Sequence, residues 1–396
     1  MMLRRCKPRL IISPLASVSL IALRIWPSGN RPDATTTAPA VATPTIRLAK
    51  LRTSAKPQHL NKVLGLYYYI IMRLIFKISK LDNLYFFVSN LTEFHFSCRK
   101  HFNKDWISAD GDLSQKEKRA INDIKPIFKK YGFIVKNNRS LYLGKYFYCP
   151  SDKDKWDSVK EYLSPSEYKK FVDGFKILEP RFNRIYNEDL LKKWKAALEQ
   201  ELNSKRFIDL YNSTERFLRP KKDELFLNIH LLISPSLANT ASGGANLGNK
   251  DITLEVPVFN LTAEQVELAA GILLHELAHI WFENNSNYAT GKKLSGKNFS
   301  LIKEVIIDSI SPSGFPSQLY SKNSDPFKWY LLHNIANGKE SFESFKNNGK
   351  TDYQKLKAYM VWLIYPLVAL YFLKKKKLDS EFIKAVIRVI KKRATR

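Results

Sequence analysis

Residues 271–283, GILLHELAHIWFE, constrain the fold of this chain more than any other stretch of its sequence. His275, Glu276 and His279 interrupt a run that is otherwise apolar. Burying an imidazole or a carboxylate among Leu, Ile, Trp and Phe costs free energy unless the polar group has a partner or a metal. The sequence therefore raises the question of what satisfies these three side chains.

The two histidines are predicted to lie on one face of a helix. Thr262 and Gln265 form a capping box, which predicts a helix over residues 263–282. Four residues make about one turn, so His275 and His279 project from the same side, where one tetrahedral zinc ion accepts two imidazole nitrogens. An apolar surface nearly all round predicts that this helix is buried in its domain.

A catalytic zinc ion needs a third protein ligand, and this ligand must come from another segment. Glu283 is eight residues from His275, about 12 Å along the helix, which is too far for one ion. The next predicted helix, 300–310, carries Glu304 and Asp308 one turn apart among apolar neighbours. Either acid is drawn towards the domain interior.

The two motifs together resemble the gluzincins, the thermolysin-like zinc peptidases. HELAH is followed after 24 residues by EVIID, which is similar to the family's H-E-x-x-H and downstream E-x-x-x-D. The resemblance covers roughly residues 225–310. It implies zinc ligands His275, His279 and Glu304, with Glu276 as general base and Asp308 orienting the first histidine. It also implies hydrolysis of a peptide or protein substrate.

Two further features bear on the expected activity. Residues 243–246, GGAN, resemble the glycine part of the aminopeptidase motif but lack its glutamate, so an endopeptidase is favoured. The family also uses a Tyr or His after the ligands to stabilise the oxyanion. Tyr320, Tyr330 and His333 are candidates, and the sequence does not choose among them.

The expected fold is α+β and mostly helical. A helical domain over 61–221 precedes a zincin-like metallopeptidase domain over 222–396, which has a small sheet, the active-site helix and C-terminal helices. Residues 225–233 and 252–258 have the pattern of strands. Within residues 1–60 the stretch 31–45, RPDATTTAPAVATPT, is rich in Ala, Thr and Pro. We expect residues 1–60 to form a leader or a disordered segment, with a later true start as an alternative.

Pro257 lies within the predicted strand 252–258 and bears on its position in the sheet. Proline removes a backbone donor from a sheet, so the strand 252–258 is predicted to lie at the sheet edge. An edge strand beside a peptidase site pairs with an extended substrate backbone.

The net charge of +28 is concentrated at the two ends of the chain. Residues 1–80 contribute +13 and residues 374–396 contribute +8, which leaves +7 for the 293 residues between them. A mildly basic body does not indicate a nucleic-acid groove, so no nucleic-acid partner is expected.

Two uncharged runs allow a membrane-associated alternative. Residues 10–23 have the length of a signal-peptide core, and residues 358–373 are short for a span and contain Pro366. We favour a buried core helix for the second run and a cytoplasmic location, with export or membrane association left open. The sequence indicates no oligomeric state.

Two functional alternatives to the peptidase remain open from the sequence. One is a degenerate gluzincin that binds zinc and a partner without cleaving it. The other is a basic membrane-associated protein that uses the lysine-rich C-terminal tail.

Overall fold

The structure is a computed structural model of the chain, and it describes most residues between 74 and 394. The described residues are 74–93, 106–131, 134–136, 139–141, 151–218, 227–234, 242–246, 251–258, 261–285, 287–295, 299–311, 314 and 353–394. All of them fall in one compact unit. The predicted leader over 1–60, with its apolar run 10–23, lies outside these residues.

Helices make up most of the described structure, as expected for a mostly helical α+β protein. They are α1 (Lys80–Leu91), α2 (Gln115–Tyr131), α3 (Asp152–Tyr162), α4 (Pro165–Ile185), α5 (Glu188–Leu202), α6 (Lys205–Leu218), α7 (Ala263–Glu283), α8 (Tyr288–Ser295), α9 (Phe299–Asp308), α10 (Tyr353–Leu373) and α11 (Ser380–Ala394). The strands are β1 (Leu74–Lys77), β2 (Ile134–Lys136), β3 (Arg139–Leu141), β4 (Leu227–Ser234), β5 (Ser242–Asn246) and β6 (Asp251–Pro257).

Two helices of the front half begin with a capping box, whose Ser and Glu lie three residues apart in the sequence. The backbone N–H of Glu117 donates to the Ser114 hydroxyl and the Ser114 N–H donates to the Glu117 carboxylate. The same reciprocal pair joins Ser164 and Glu167 at the start of α4. These bonds satisfy backbone donors that would otherwise lack a partner in the first turn.

Four strands form the main sheet in the order β1-β4-β6-β5. β4 is parallel to both β1 and β6, whereas β5 runs antiparallel to β6. β1 comes from the front half of the chain, so the predicted helical region contributes a strand to the same sheet as the later strands. β2 and β3 form a separate two-stranded antiparallel sheet.

The prediction of an edge position for the strand 252–258 is wrong. β6 lies between β4 and β5, and the edge strand is the glycine-rich β5. Pro257 is the last residue of β6, and the pairing of β6 with β4 ends at its partner Ser234. The backbone donor that proline lacks is not needed there, because the N–H of the next residue, Val258, donates to the Ser234 carbonyl. A missing donor therefore marks the end of this strand and not an exposed edge.

Buried charged side chains connect the main sheet to the helices α1 and α3. His230 on β4 contacts Asp82 at 2.9 Å through Nδ1 and Asp251 at 3.1 Å through Nε2. Lys155 on α3 binds the other oxygen of Asp82 at 2.6 Å. Burial alone would lower the pKa of His230, but its hydrogen bonds to the two aspartates raise this pKa above its ordinary value. The side chain of His230 thus connects α1, β4 and β6.

Candidate metal centre

The helix α7 forms where its cap and its apolar run predict it. The Thr262 hydroxyl accepts a hydrogen bond from the Gln265 N–H, and the helix continues to Glu283. The reciprocal bond of the predicted capping box does not form, because the side-chain oxygen of Gln265 has no hydrogen-bond partner. It packs against β5, β6, α5, α6 and α9, and its side chains are buried on almost every side. His275 and His279 are therefore held on a rigid helix inside the unit, as expected.

The imidazole rings of His275 and His279 point to the same place. The Nε2 atoms of His275 and His279 lie 3.1 Å apart. The carboxylate of Glu304, on α9, is 3.4 Å from Nε2 of His279 and 4.0 Å from Nε2 of His275. One ligand atom from each of the three side chains lies within 4.8 Å of the other two.

These separations fit the donor set of a tetrahedral zinc ion. Zinc binds imidazole nitrogen and carboxylate oxygen at about 2.0–2.2 Å, so two ligands of one ion lie roughly 3.3 Å apart. The Nε2–Nε2 distance of 3.1 Å and the shorter Nε2–carboxylate distance of 3.4 Å are close to that value. Two imidazoles and one carboxylate also form a known catalytic zinc set, which leaves a position open for water.

The far side of the His275 ring is held by two acceptors. Its Nδ1 lies 2.9 Å from the backbone oxygen of Ser311 and 3.2 Å from the Asp308 carboxylate. The Ser311 hydroxyl in turn donates to the Gly271 carbonyl on α7 at 2.7 Å. Because both acceptors need a proton on Nδ1, the lone pair of His275 is on Nε2, where a metal ligand needs it.

Lys357 completes this arrangement from α10. Its ammonium lies 2.7 Å from the second carboxylate oxygen of Asp308, and the exposed fractions of the two side chains are 15% and 16%. Asp308 therefore lies between the Lys357 ammonium and the His275 ring. Through Asp308 of α9, Lys357 of α10 is thus linked to the His275 ring of α7.

The surroundings of Glu304 favour its ionised form. Burial would raise the pKa of its carboxyl, but the hydrogen bond from His279 and the nearby positive charges bring this pKa down to about 2. A deprotonated carboxylate is the form that binds a metal.

The remaining sequence-predicted residues are placed as follows. Glu276 is buried in α7, with 7% of its surface exposed, next to the first histidine, and it is not among the three grouped ligand residues. Glu283 is bound by Lys303 at 3.0 Å and likewise does not belong to the group, as helix geometry predicts. Tyr320, Tyr330 and His333 lie outside the described residues.

Sequence reasoning did not single out Lys357, Ser311 or the strand β5. Lys357 is 49 residues beyond Asp308 in the chain, and no motif links the two. Ser311 contributes a backbone carbonyl, which any residue would supply. The glycine-rich segment of β5 has no alternating apolar pattern, and its only signal was its likeness to the glycine part of a peptidase motif.

Comparisons with protein families, curated proteins and solved structures give no match to this chain. The functional argument therefore depends on the residues of the site.

Proposed function

We propose that this chain is a zinc-dependent peptidase of the gluzincin type, with endopeptidase activity favoured. One observation carries the proposal: the ligand atoms of His275, His279 and Glu304 converge from two separate helices. The intervening Glu276 adds a buried carboxylate at the position where such enzymes keep their general base.

Each residue has a distinct role in the proposed reaction. His275, His279 and Glu304 would hold a zinc ion, which would supply Lewis-acid chemistry and lower the pKa of a water molecule to about 7. Glu276 takes a proton from the attacking water and returns it to the leaving amine. Asp308 and the Ser311 carbonyl keep the proton of His275 on Nδ1, so that Nε2 remains available as a ligand.

The sheet supports a binding mode for an extended substrate. β5 is the edge strand next to β6, and it packs against the metal-site helix α7. Backbone groups along an outer edge pair with an added strand, which binds a peptide whatever its side chains. The substrate-pairing role expected for the strand 252–258 is therefore proposed for β5.

The decisive experiment compares Glu276→Gln with the wild type and with Glu283→Gln. Glu283 lies on the same helix but pairs with Lys303, so its variant controls for loss of a carboxylate from α7. Zinc content is measured by elemental analysis, and cleavage is measured on a broad peptide library.

We expect all three proteins to hold one zinc ion per chain. Glu276→Gln should lose hydrolysis by about 10²–10⁴-fold, the usual contribution of a general base, and Glu283→Gln should stay near the wild type. Zinc binding without cleavage by the wild type would support a non-catalytic zinc-binding protein instead. Absence of zinc from the wild type would refute the proposal.

A further inference from the structure

The helix α10 has one face in the core and a second, apolar face at the surface. Its buried side includes Leu356, Met360, Ile364, Val368 and Phe372. The exposed side carries Trp362, Pro366, Leu370 and Leu373, which we call the α10 stripe. Spacings of four, four and three residues place these side chains on one side of a helix.

The α10 stripe is unusually exposed for its composition. The exposed fractions are 42% for Trp362, 38% for Leu370 and 62% for Leu373. Of the six large hydrophobic side chains that are exposed in the described part of the chain, these are three. Exposed apolar side chains concentrated on one element mark an interaction surface more often than scattered ones do.

A dense positive charge follows the stripe directly. Lys374 to Lys377 come immediately after Leu373, and all four are exposed. On α11, Lys384, Arg388 and Lys392 are exposed at helical spacing, although Lys384 also pairs with Glu381 at 2.7 Å. Residues 353–394 hold 11 Lys and Arg against two acidic residues.

The packing of α10 limits how the α10 stripe can contact a membrane. None of the helices among the described residues combines the length and hydropathy that a membrane span requires. The opposite face of α10 is buried, so the stripe is the part of this helix that can enter a lipid phase. Because its other side is buried in the protein, α10 meets a bilayer along the stripe and lies in the plane of the interface, as a surface-bound helix does.

We propose that the α10 stripe and Lys374 to Lys377 dock this protein on the surface of an anionic phospholipid bilayer. Trp362, Leu370 and Leu373 enter the boundary between headgroups and acyl chains, where Trp is favoured. The four lysines contact the anionic headgroups, which attract each cation near the surface. This docking is independent of the proposed peptidase activity, because it uses no residue of the metal centre.

Vesicle flotation with the full-length protein tests the proposal. The vesicles are made of phosphatidylcholine alone, or with about a third of phosphatidylglycerol. One variant changes Lys374, Lys375, Lys376 and Lys377 to Gln, and a second carries Trp362→Ser and Leu373→Ser. Two controls change exposed side chains elsewhere: Lys116, Lys118, Lys169 and Lys170 to Gln, and Leu294 to Ser.

We expect the wild type to float with the anionic vesicles and not with phosphatidylcholine alone. The lysine variant should weaken this partition at least tenfold, since each lysine near an anionic surface contributes favourably. The stripe variant should weaken it as well, whereas both controls should bind like the wild type. Equal binding to both vesicle types, or undiminished binding by both α10 variants, would overturn the proposal.

A second measurement serves if a variant fails to fold, as judged by circular dichroism. Brominated acyl chains quench Trp fluorescence on contact, and Trp362→Phe changes only the reporter. Quenching in the wild type that is lost in Trp362→Phe would support insertion of the α10 stripe. Equal quenching in both proteins would contradict it.

Discussion

Replacing Lys357 by methionine tests whether the contact from α10 contributes to the metal centre. The ammonium lies 2.7 Å from Asp308, whose other oxygen lies 3.2 Å from Nδ1 of His275. Methionine keeps the length and apolar stem of lysine but removes the charge and the hydrogen-bond donors. Asp308 then loses the partner that fixes its orientation towards the ring.

The magnitude follows from the kind of contact that is removed. A hydrogen bond to a charged group contributes about 1.5–3 kcal/mol, and about 1.4 kcal/mol corresponds to tenfold in affinity. Asp308 retains its contact with His275 in the variant. The loss of zinc-binding free energy should therefore be smaller than the full energy of the Lys357–Asp308 contact. We therefore expect zinc affinity to fall by about tenfold, the lower end of the range for groups that orient a metal ligand.

Competition with a chromogenic chelator measures the zinc affinity of each variant. Lys303→Met is the matched control, because Lys303 also has an exposed fraction of 15% and joins α9 to Glu283 on α7. Lys357→Arg keeps the charge and should retain most of the affinity. In Asp308→Ala, adding Lys357→Met should have little further effect, since the two act through one contact.

Two outcomes would refute this reasoning. One is an unchanged zinc affinity in Lys357→Met. The other is an equal loss in Lys357→Met and Lys303→Met, which would show a general effect of removing a cation between helices.

Three further predictions concern the metal ligands, the buried histidine and the substrate-binding edge. Glu304→Ala should lose stoichiometric zinc in elemental analysis, whereas Asp308→Ala should keep it with about 10–100-fold weaker affinity; the reverse result would exchange their roles. His230→Gln should lower the free energy of unfolding in urea at pH 6 by about 3 kcal/mol, because it removes hydrogen bonds to Asp82 and Asp251. Since the folded pKa of His230 is raised, its stabilisation is complete below the unfolded value of about 6.5 and is lost as pH rises through the folded pKa. The variant should lack this decline, and an identical pH dependence in both proteins would contradict the assignment. Peptides N-methylated next to the scissile bond should show a raised KM, because they cannot donate to the β5 edge; an unchanged KM would exclude pairing there.

The metal-site helix was predictable because its signals are local. Thr262 and Gln265 mark its start, and a continuous apolar run predicts its burial. The spacing of His275 and His279 determines that they share a face in any helix of this geometry. The same local rule placed Glu304 and Asp308 together, and it excluded Glu283 from the ligand set.

The order of strands could not be predicted in the same way. Pro257 suggested an edge, but it lies where the pairing of β6 with β4 ends. β5 is built from the residues SGGAN, which have weak strand preference. It is a strand because β6 offers unpaired backbone groups on that side, a property of the assembled sheet and not of the segment.

The sequence by itself determined which residues are available for the proposed metal chemistry and which of them share a helix face. These properties depend on separations of three or four residues, which the backbone geometry of a helix converts directly into positions in space. Only the tertiary structure decided that α9 meets α7 with Glu304 towards the imidazoles, that Lys357 reaches Asp308, and that β5 lies at the edge. Those contacts join segments that are far apart in the chain, and packing of the whole unit selects them.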